Sequence, residues 1–266
     1  MHSTIVLDRC ELSPGIILLG LHAPQLARVT FPGHFLMAIP PSGERAATAL
    51  GIYEAHGDRV SILFVECGSR TRELAELHVG GRLDVIAPLG NGFDLSGDSR
   101  DVAIVAGGVG IASLLLPALA LLARDARVRL YYGARTQALL VECDRFADSG
   151  CEVWCATDDG SRGHHGYVTD LLAQTTELPD LILGCGPTPM LRTLAEVAAQ
   201  RHVPAQLSLE ETFACGVGGC WGCVVPLDRR SAQAPKFPDA PPAEADFVYA
   251  RICKEGPVFL AHELRW

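Results

Sequence analysis

Val102-Ala103-Ile104-Val105-Ala106-Gly107-Gly108-Val109-Gly110, running straight into the apolar stretch Ala112 to Arg124, is a strand, a glycine turn and a helix in succession. An unbroken apolar run before the glycines suits a strand buried on both faces, and such strands belong to parallel sheets covered by helices. The glycines let the backbone turn sharply and approach a ligand, and the start of the following helix offers unpaired N–H groups of the kind that hold a dinucleotide pyrophosphate. Taken alone, the same glycines also suit a tight strand-to-helix turn with no ligand.

Downstream the pattern repeats. Strand-like runs at Val128 to Tyr132, Glu152 to Ala156 and Leu181 to Cys185 alternate with helical sequence such as Pro189 to Arg201, which predicts a parallel α/β sheet. Two loops fall where such sheets bind ligands, at the carboxyl ends of strands: Thr157-Asp158-Asp159-Gly160-Ser161 and Gly184-Cys185-Gly186-Pro187. Gly107, Gly108, Gly110, Asp158, Cys185 and Gly186 are therefore the candidate dinucleotide-binding residues. The acidic pair Asp158 and Asp159 disfavours a 2′-phosphate and so points to NAD over NADP, although both residues read equally well as solvated turn positions. Cys185 is either beside the nicotinamide or a buried structural cysteine.

Upstream, short β-rich runs at Gly15 to Leu21, Phe35 to Ile39, Leu50 to Glu54, Val60 to Glu66 and Arg82 to Ala87 are separated by Pro and Gly and predict a small antiparallel barrel. One or two helical turns fit Thr71 to Leu77, and Gly90 to Arg100 reads as a linker. The fold class is thus α+β and α/β, with a barrel over 1–96, a dinucleotide-binding α/β domain over 97–208 and a cysteine-rich module over 209–266. That last module passes through the Pro- and Ala-rich stretch Ala232 to Ala245, which reads as a long loop.

Cys215-Gly-Val-Gly-Gly-Cys220-Trp-Gly-Cys223, with Cys253 beyond, has the C-x4-C-x2-C…C spacing of plant-type [2Fe-2S] sites. Glycines between the ligands suit a backbone that wraps a cluster and brings N–H groups close to sulfur. Zinc competes for a set of four cysteines, and Cys220-x-x-Cys223 alone would also suit a thiol redox pair. The other cysteines, Cys10, Cys67, Cys143, Cys151, Cys155 and Cys185, are scattered and are expected to be small buried hydrophobes.

Composition narrows the class. The chain has 266 residues, 48% hydrophobic and 20% charged, as in ordinary globular proteins. A net charge of −9 without basic runs argues against nucleic acid or anionic lipid as a partner. The Met1 to Arg9 segment lacks a signal-like pattern, and glycines and Pro117 interrupt the apolar stretch near Ile104, so a cytoplasmic chain without membrane spans is expected. No Ser-His-Asp, paired-carboxylate or HExxH arrangement is present, so no catalytic residue is assigned; His164 and His165 are expected in an exposed loop.

With these elements in view the chain resembles the ferredoxin-NADP reductase superfamily, and within it the electron-transfer subunits of heteromeric dihydroorotate dehydrogenase. The resemblance runs over nearly the whole chain: Phe31-Pro32-Gly33-His34-Phe35, Pro88-Leu89-Gly90-Asn91-Gly92-Phe93, the glycine turn, Thr157 to Ser161 with Gly166-Tyr167-Val168-Thr169-Asp170, Cys185-Gly186-Pro187, and the four cysteines with Cys253-Lys254-Glu255-Gly256-Pro257-Val258-Phe259. It implies an NAD-linked iron–sulfur flavoprotein oxidoreductase subunit. FAD is then expected in the barrel, NAD on the α/β domain and a [2Fe-2S] cluster on Cys215, Cys220, Cys223 and Cys253, facing a catalytic flavoprotein dehydrogenase subunit in a hetero-oligomer. Electrons would pass among the three groups to or from that partner, which implies dihydroorotate oxidation in pyrimidine biosynthesis. A reductase subunit of another redox complex and a cluster-bearing adaptor without FAD are the alternatives. Family members carry Arg-Pro-x-Ser on a barrel strand, whose Arg pairs with the flavin pyrophosphate; here the stretch reads Thr48-Ala49-Leu50-Gly51. FAD is accordingly weakened, anchored differently, for instance by Arg45, or lost. The family's phosphate element is carried over as Gly68 and Thr71, and Ser113 stands where relatives often have Pro.

Overall fold

The computed structural model of the chain describes residues 1–43, 46–235 and 246–266. Six antiparallel strands come first: β1 (His2–Ser13), β2 (Ile16–His22), β3 (Phe35–Ile39), β4 (Thr48–His56), β5 (Arg59–Val65) and β6 (Arg82–Leu89). They close into a barrel in the order β1-β2-β5-β4-β3-β6. Alternation decides the inside: Ile17, Leu19 and Leu21 of β2 and Val60, Ile62 and Phe64 of β5 are at most 2% exposed and fill the interior. The intervening residues Ile16 and Leu63 point the other way, into the core of the next layer. Two short helices, α1 (Pro24–Val29) and α2 (Ser69–Ala75), contribute Leu26 and Leu74 to the barrel core.

The second sheet contains β7 (Asp101–Gly107), β8 (Arg127–Ala134), β9 (Glu152–Thr157), β10 (His164–His165), β11 (Leu181–Cys185) and β12 (Ala205–Ser208), all parallel. Its order is β10-β9-β8-β7-β11-β12, so the chain leaves β7 in one direction and returns on its other side. Residues Val102 to Ala106 of β7 are 0% exposed, as expected of a strand covered on both faces. The helices α3 (Leu115–Leu122) and α4 (Cys143–Asp148) pack on one face, and α5 (Val168–Gln174) and α6 (Thr188–Arg201) on the other. On α6 the buried residues Leu191, Leu194, Ala195 and Ala198 recur at helical spacing, each leucine contributing about 1.5–3 kcal/mol of burial.

The C-terminal region is more regular than its composition suggested. β13 (Val224–Asp228) and β14 (Phe247–Arg251) form an antiparallel pair, and β15 (Val258–Leu260) adds an antiparallel edge strand to β12. Most of the expected loop lies outside the described residues, as does Arg45.

Several expectations are corrected. The helix after the glycine turn starts as a 3-10 segment over Gly108–Ser113 and turns α-helical only at Leu115, which leaves the N–H-lacking Pro117 in the first turn, where it costs no hydrogen bond. The expected linker is tied down: Phe93 is buried, and the backbone of Asp94 exchanges two hydrogen bonds with the side chain of Gln206, at 2.8 and 2.7 Å. His164 and His165 form the edge strand β10 rather than a loop. Cys10 and Cys67 are exposed; only Cys143, Cys151 and Cys185 of the scattered set are buried.

Candidate functional site

The carboxyl ends of β7, β8, β9 and β11 open onto a cleft of about 850 Å3, an ordinary size for a small-molecule site. Its floor is the glycine turn Gly107-Gly108-Val109, and its walls include Gly133 to Arg135, Asp158, Tyr167 and Pro187. The strand order reverses between β7 and β11 at this point, which leaves a crevice. Gly107 and Gly186 meet there: a β-carbon on Gly186 would lie 3.0 Å from the Gly107 Cα. Gly110 is packed rather than lining, since a β-carbon on it would fall 2.4 Å from the carbonyl oxygen of Cys185. Asp158 faces the cleft, whereas Asp159 folds back onto its own turn and accepts from the Ser161 N–H and hydroxyl at 3.0 and 2.6 Å.

A second cavity of about 260 Å3 adjoins it, between the barrel and the sheet. Thr48, Gly51 and Thr71, three of the four candidate flavin residues, lie in its wall with Phe35, Cys67 and Phe213. Gly68 stands just outside and caps α2; its N–H and that of Cys67 donate to the Thr71 hydroxyl at 3.1 and 2.9 Å. Gly51 makes room for Ser113, whose Oγ would be 2.5 Å from an added β-carbon. The Oγ1 of Thr48 is buried without a hydrogen-bond partner. Since a buried hydroxyl normally has a partner, this orphan fits a cavity shaped for a polar occupant.

Leu63, Val65, Val109 and Glu210 border both spaces. Glu210 opens onto them, and the protein packed around it raises its carboxyl pKa. The Cys185 thiol donates to its Oε1 at 3.6 Å; burial, then the charge of Glu210, pushes that thiol well up, so it stays protonated. Glu210 and Val109 were not singled out in the sequence, because nothing local distinguishes a glutamate after a strand from a solvated one.

The cysteines lie on the far side of the second cavity. Phe213 packs edge-on against Phe35 at 5.1 Å, and Gly216 sits so close to Met37 that a β-carbon would meet its sulfur at 2.5 Å. Gly216 and Gly218 have positive φ of 69° and 84°, so the loop between Cys215 and Cys220 needs them. Its N–H groups turn inward: donors at Val217 and then Cys220, with a smaller part from Gly219 at 3.3 Å, bring the Cys215 thiol down to about 6. The β13–β14 ladder sets Cys223 beside Cys253, through a 2.7 Å bond from the Ile252 N–H to the Cys223 carbonyl. Burial, then neighbouring Cys223, lifts Cys253 to about 12. Cys215 has Cys220 as a neighbour, and Cys253 has Cys223 and then Cys215. Among the described residues no three His, Cys, Asp or Glu side chains gather as a metal-holding group. The donor set and the inward N–H groups nevertheless suit a thiolate-bound cluster.

Polar contacts bind the two large layers together across the site. The Tyr53 hydroxyl on β4 donates to the Glu142 carboxylate ahead of α4, and Arg145 donates to Glu54 at 2.6 Å. No helix among the described residues is long and apolar enough to cross a membrane.

No protein-family model matches the chain. Among curated proteins it is 34% identical over 233 residues to the dihydroorotate dehydrogenase B (NAD(+)) electron transfer subunit of Caldanaerobacter subterraneus subsp. tengcongensis, covering 88% of this chain and 86% of the relative. It is 39% identical over 207 residues to the protein of the same name from Geobacillus kaustophilus, covering 77% and 73%. Among solved structures, an NADH-dependent reduced ferredoxin-NADP oxidoreductase chain from work on flavin-based electron bifurcation superposes with a TM-score of 0.83 over 100% of this chain and 91% of its own, at 24% identity, a likeness of fold.

Proposed function

Since the chain belongs to the family of dihydroorotate dehydrogenase B electron transfer subunits, we propose that it relays electrons between NAD(H), FAD and a [2Fe-2S] cluster, to or from a catalytic flavoprotein dehydrogenase subunit that turns over dihydroorotate. The observation that carries this reading is serial adjacency: the cleft and the cavity share a wall, and Phe213, two residues before Cys215, lines the cavity against Phe35.

Each space has residues suited to its occupant. Gly108 leaves the backbone bare for a pyrophosphate, while Gly107 is closely packed by Met190 and Pro187, and Asp158 disfavours an added 2′-phosphate, which supports NAD over NADP. The barrel wall with Thr48, Gly51 and Thr71 would take FAD. Cys215, Cys220, Cys223 and Cys253 would hold the cluster; the C-x4-C-x2-C…C spacing and the N–H groups turned towards the Cys215 sulfur suit a two-iron cluster better than zinc. Bound there, the groups supply hydride exchange at the nicotinamide–flavin contact and single-electron exchange towards the cluster. The protein's part is placement. Val109 and Leu63 present apolar surface to both spaces and keep water from the contact. The protonated Cys185 thiol and Glu210 hold a fixed hydrogen bond at the junction.

The domain limits 1–96, 97–208 and 209–266 are part of this proposal as the flavin, nicotinamide and cluster portions. The test is a visible spectrum with iron, sulfide and flavin quantitation on anaerobically purified protein. Flavin with about two irons and two sulfides per chain is expected. Iron without flavin would leave a cluster-bearing adaptor, and zinc alone would overturn the redox reading.

A further inference from the structure

Among the described residues the smaller cavity has no lining cation where its proposed occupant needs one. Both flavin coenzymes carry phosphate, yet among the described residues no Lys or Arg lines the cavity, whose wall instead includes Glu210 and Glu211. A phosphate in such surroundings requires positive charge from just behind the wall. Arg72 is already committed, its Nε donating to Glu66 at 3.0 Å. Arg70 is not.

Arg70 lies between the wall residues Cys67 and Thr71 and is half-buried. Its Nη1 donates to the Ala47 carbonyl at 3.2 Å. That contact draws the guanidinium across from α2 to the start of β4, next to Thr48, whose buried hydroxyl has no partner. Among the described residues Arg70 forms no ion pair, and its remaining N–H donors are uncommitted. A half-buried guanidinium tethered by one neutral carbonyl beside an orphaned hydroxyl lacks the one thing both groups would share, an anionic acceptor.

Resting on the flavin reading above, we propose that Arg70 is the phosphate-binding cation of this cavity, acting together with the Thr48 hydroxyl and replacing an arginine on β4 by one that reaches the same place from α2. The Ala47 carbonyl is its positioning contact: it fixes the plane of the fork, so that less side-chain freedom is lost when phosphate binds.

The experiment titrates flavin-depleted full-length protein with FAD, FMN and riboflavin, following flavin fluorescence, for the wild type, Arg70→Ala, Arg70→Lys, Arg45→Ala and the double variant Thr48→Arg/Arg70→Ala. A charge-assisted contact predicts that Arg70→Ala weakens FAD and FMN by about tenfold or more while riboflavin, which has no phosphate, is unchanged. Arg70→Lys keeps part of the affinity, because it keeps the charge without the fork. The double variant regains affinity by returning the charge to β4. Equal weakening of riboflavin would mean a structural role and overturn the inference, as would unchanged FAD affinity in Arg70→Ala or a loss seen only with Arg45→Ala. A wild type that binds no flavin sinks the flavin reading itself, an outcome distinct from these. Circular dichroism and NAD binding of each variant separate a local effect from failed folding.

Discussion

Gly107, Gly108 and Gly110 look alike in the sequence, but the structure gives the last two opposite roles, and alanine at each separates them. At Gly110 the new methyl would lie 2.4 Å from the Cys185 oxygen, 2.6 Å from its carbonyl carbon and 2.8 Å from the Gly186 Cα. All three are backbone atoms at the end of a central strand, so no side chain can swing aside. Restoring ordinary contact requires the turn and the β11 end to part by roughly 1 Å. Overpacking of this kind costs about 1–3 kcal/mol, here at the upper end, or about 5–10 °C in Tm for a chain of this size. At Gly108 the added methyl meets nothing within 4 Å, but φ is +53°, so the cost is only about 1 kcal/mol of backbone preference. That methyl does project where the cleft floor is bare. Gly108→Ala should therefore melt within about 4 °C of wild type yet bind NAD(H) at least about tenfold more weakly, whereas Gly110→Ala should lose most in stability. Thermal unfolding by circular dichroism and nucleotide titration on the same samples measure both. If the two variants melt together, or if Gly108→Ala binds NAD(H) like wild type, the division of roles is wrong.

Removal of the Tyr53 hydroxyl by Tyr53→Phe leaves the Glu142 carboxylate without its donor and should cost about 1–3 kcal/mol in urea unfolding; no change would mean that the bond is not made in solution. Cys143 and Cys155 have their sulfurs 3.8 Å apart, and the Cys143 thiol, donating to Cys155, brings the latter down to about 7. Below that pH Cys155 is protonated and unreactive, and above it the thiolate forms, so its alkylation should rise through pH 7; in Cys143→Ala the midpoint should move up towards the ordinary thiol range, as followed by mass spectrometry. Cys220→Ala, at an exposed position, should abolish cluster absorbance with little effect on the unfolding of metal-free protein, whereas Cys253→Ala, at 2% exposure, should also lower that stability by about 1 kcal/mol or more.

The parts of the fold that were readable before the structure were those written in a local period. The apolar run Val102 to Ala106, the alternation in β2 and β5 and the stripe on α6 each follow from one segment burying its own side chains. What escaped notice depends on partners distant in the chain. β10 exists because His164 and His165 find the free edge of β9, and β15 because Val258 to Leu260 meets β12; neither segment has enough residues to announce a strand. The site divides the same way. Gly107, Asp158 and the cysteine spacing are local signals, whereas Glu210 and Val109 acquire meaning only when the barrel is folded against the sheet, and Arg70 only when α2 meets the start of β4. Asp158 and Asp159 were indistinguishable as letters; the hydrogen bonds of Ser161 take one of them out of the cleft.

The return of the chain into β15 fixes how the cysteine module can behave. The Asn91 N–H donates to the Gly256 carbonyl at 2.6 Å, the Leu209 N–H to the Pro257 carbonyl at 2.9 Å, and three residues beyond pair with β12. The module is therefore fastened at both its entry and its exit to the framework that bounds the smaller cavity. A carrier mounted on such a bracket cannot swing between a loading and a delivery position as a tethered shuttle does. If a cluster is held there, its two transfer gaps would be set when the chain folds, so traffic through it would respond to driving force and to which partner is docked, not to the viscosity that slows a swinging arm.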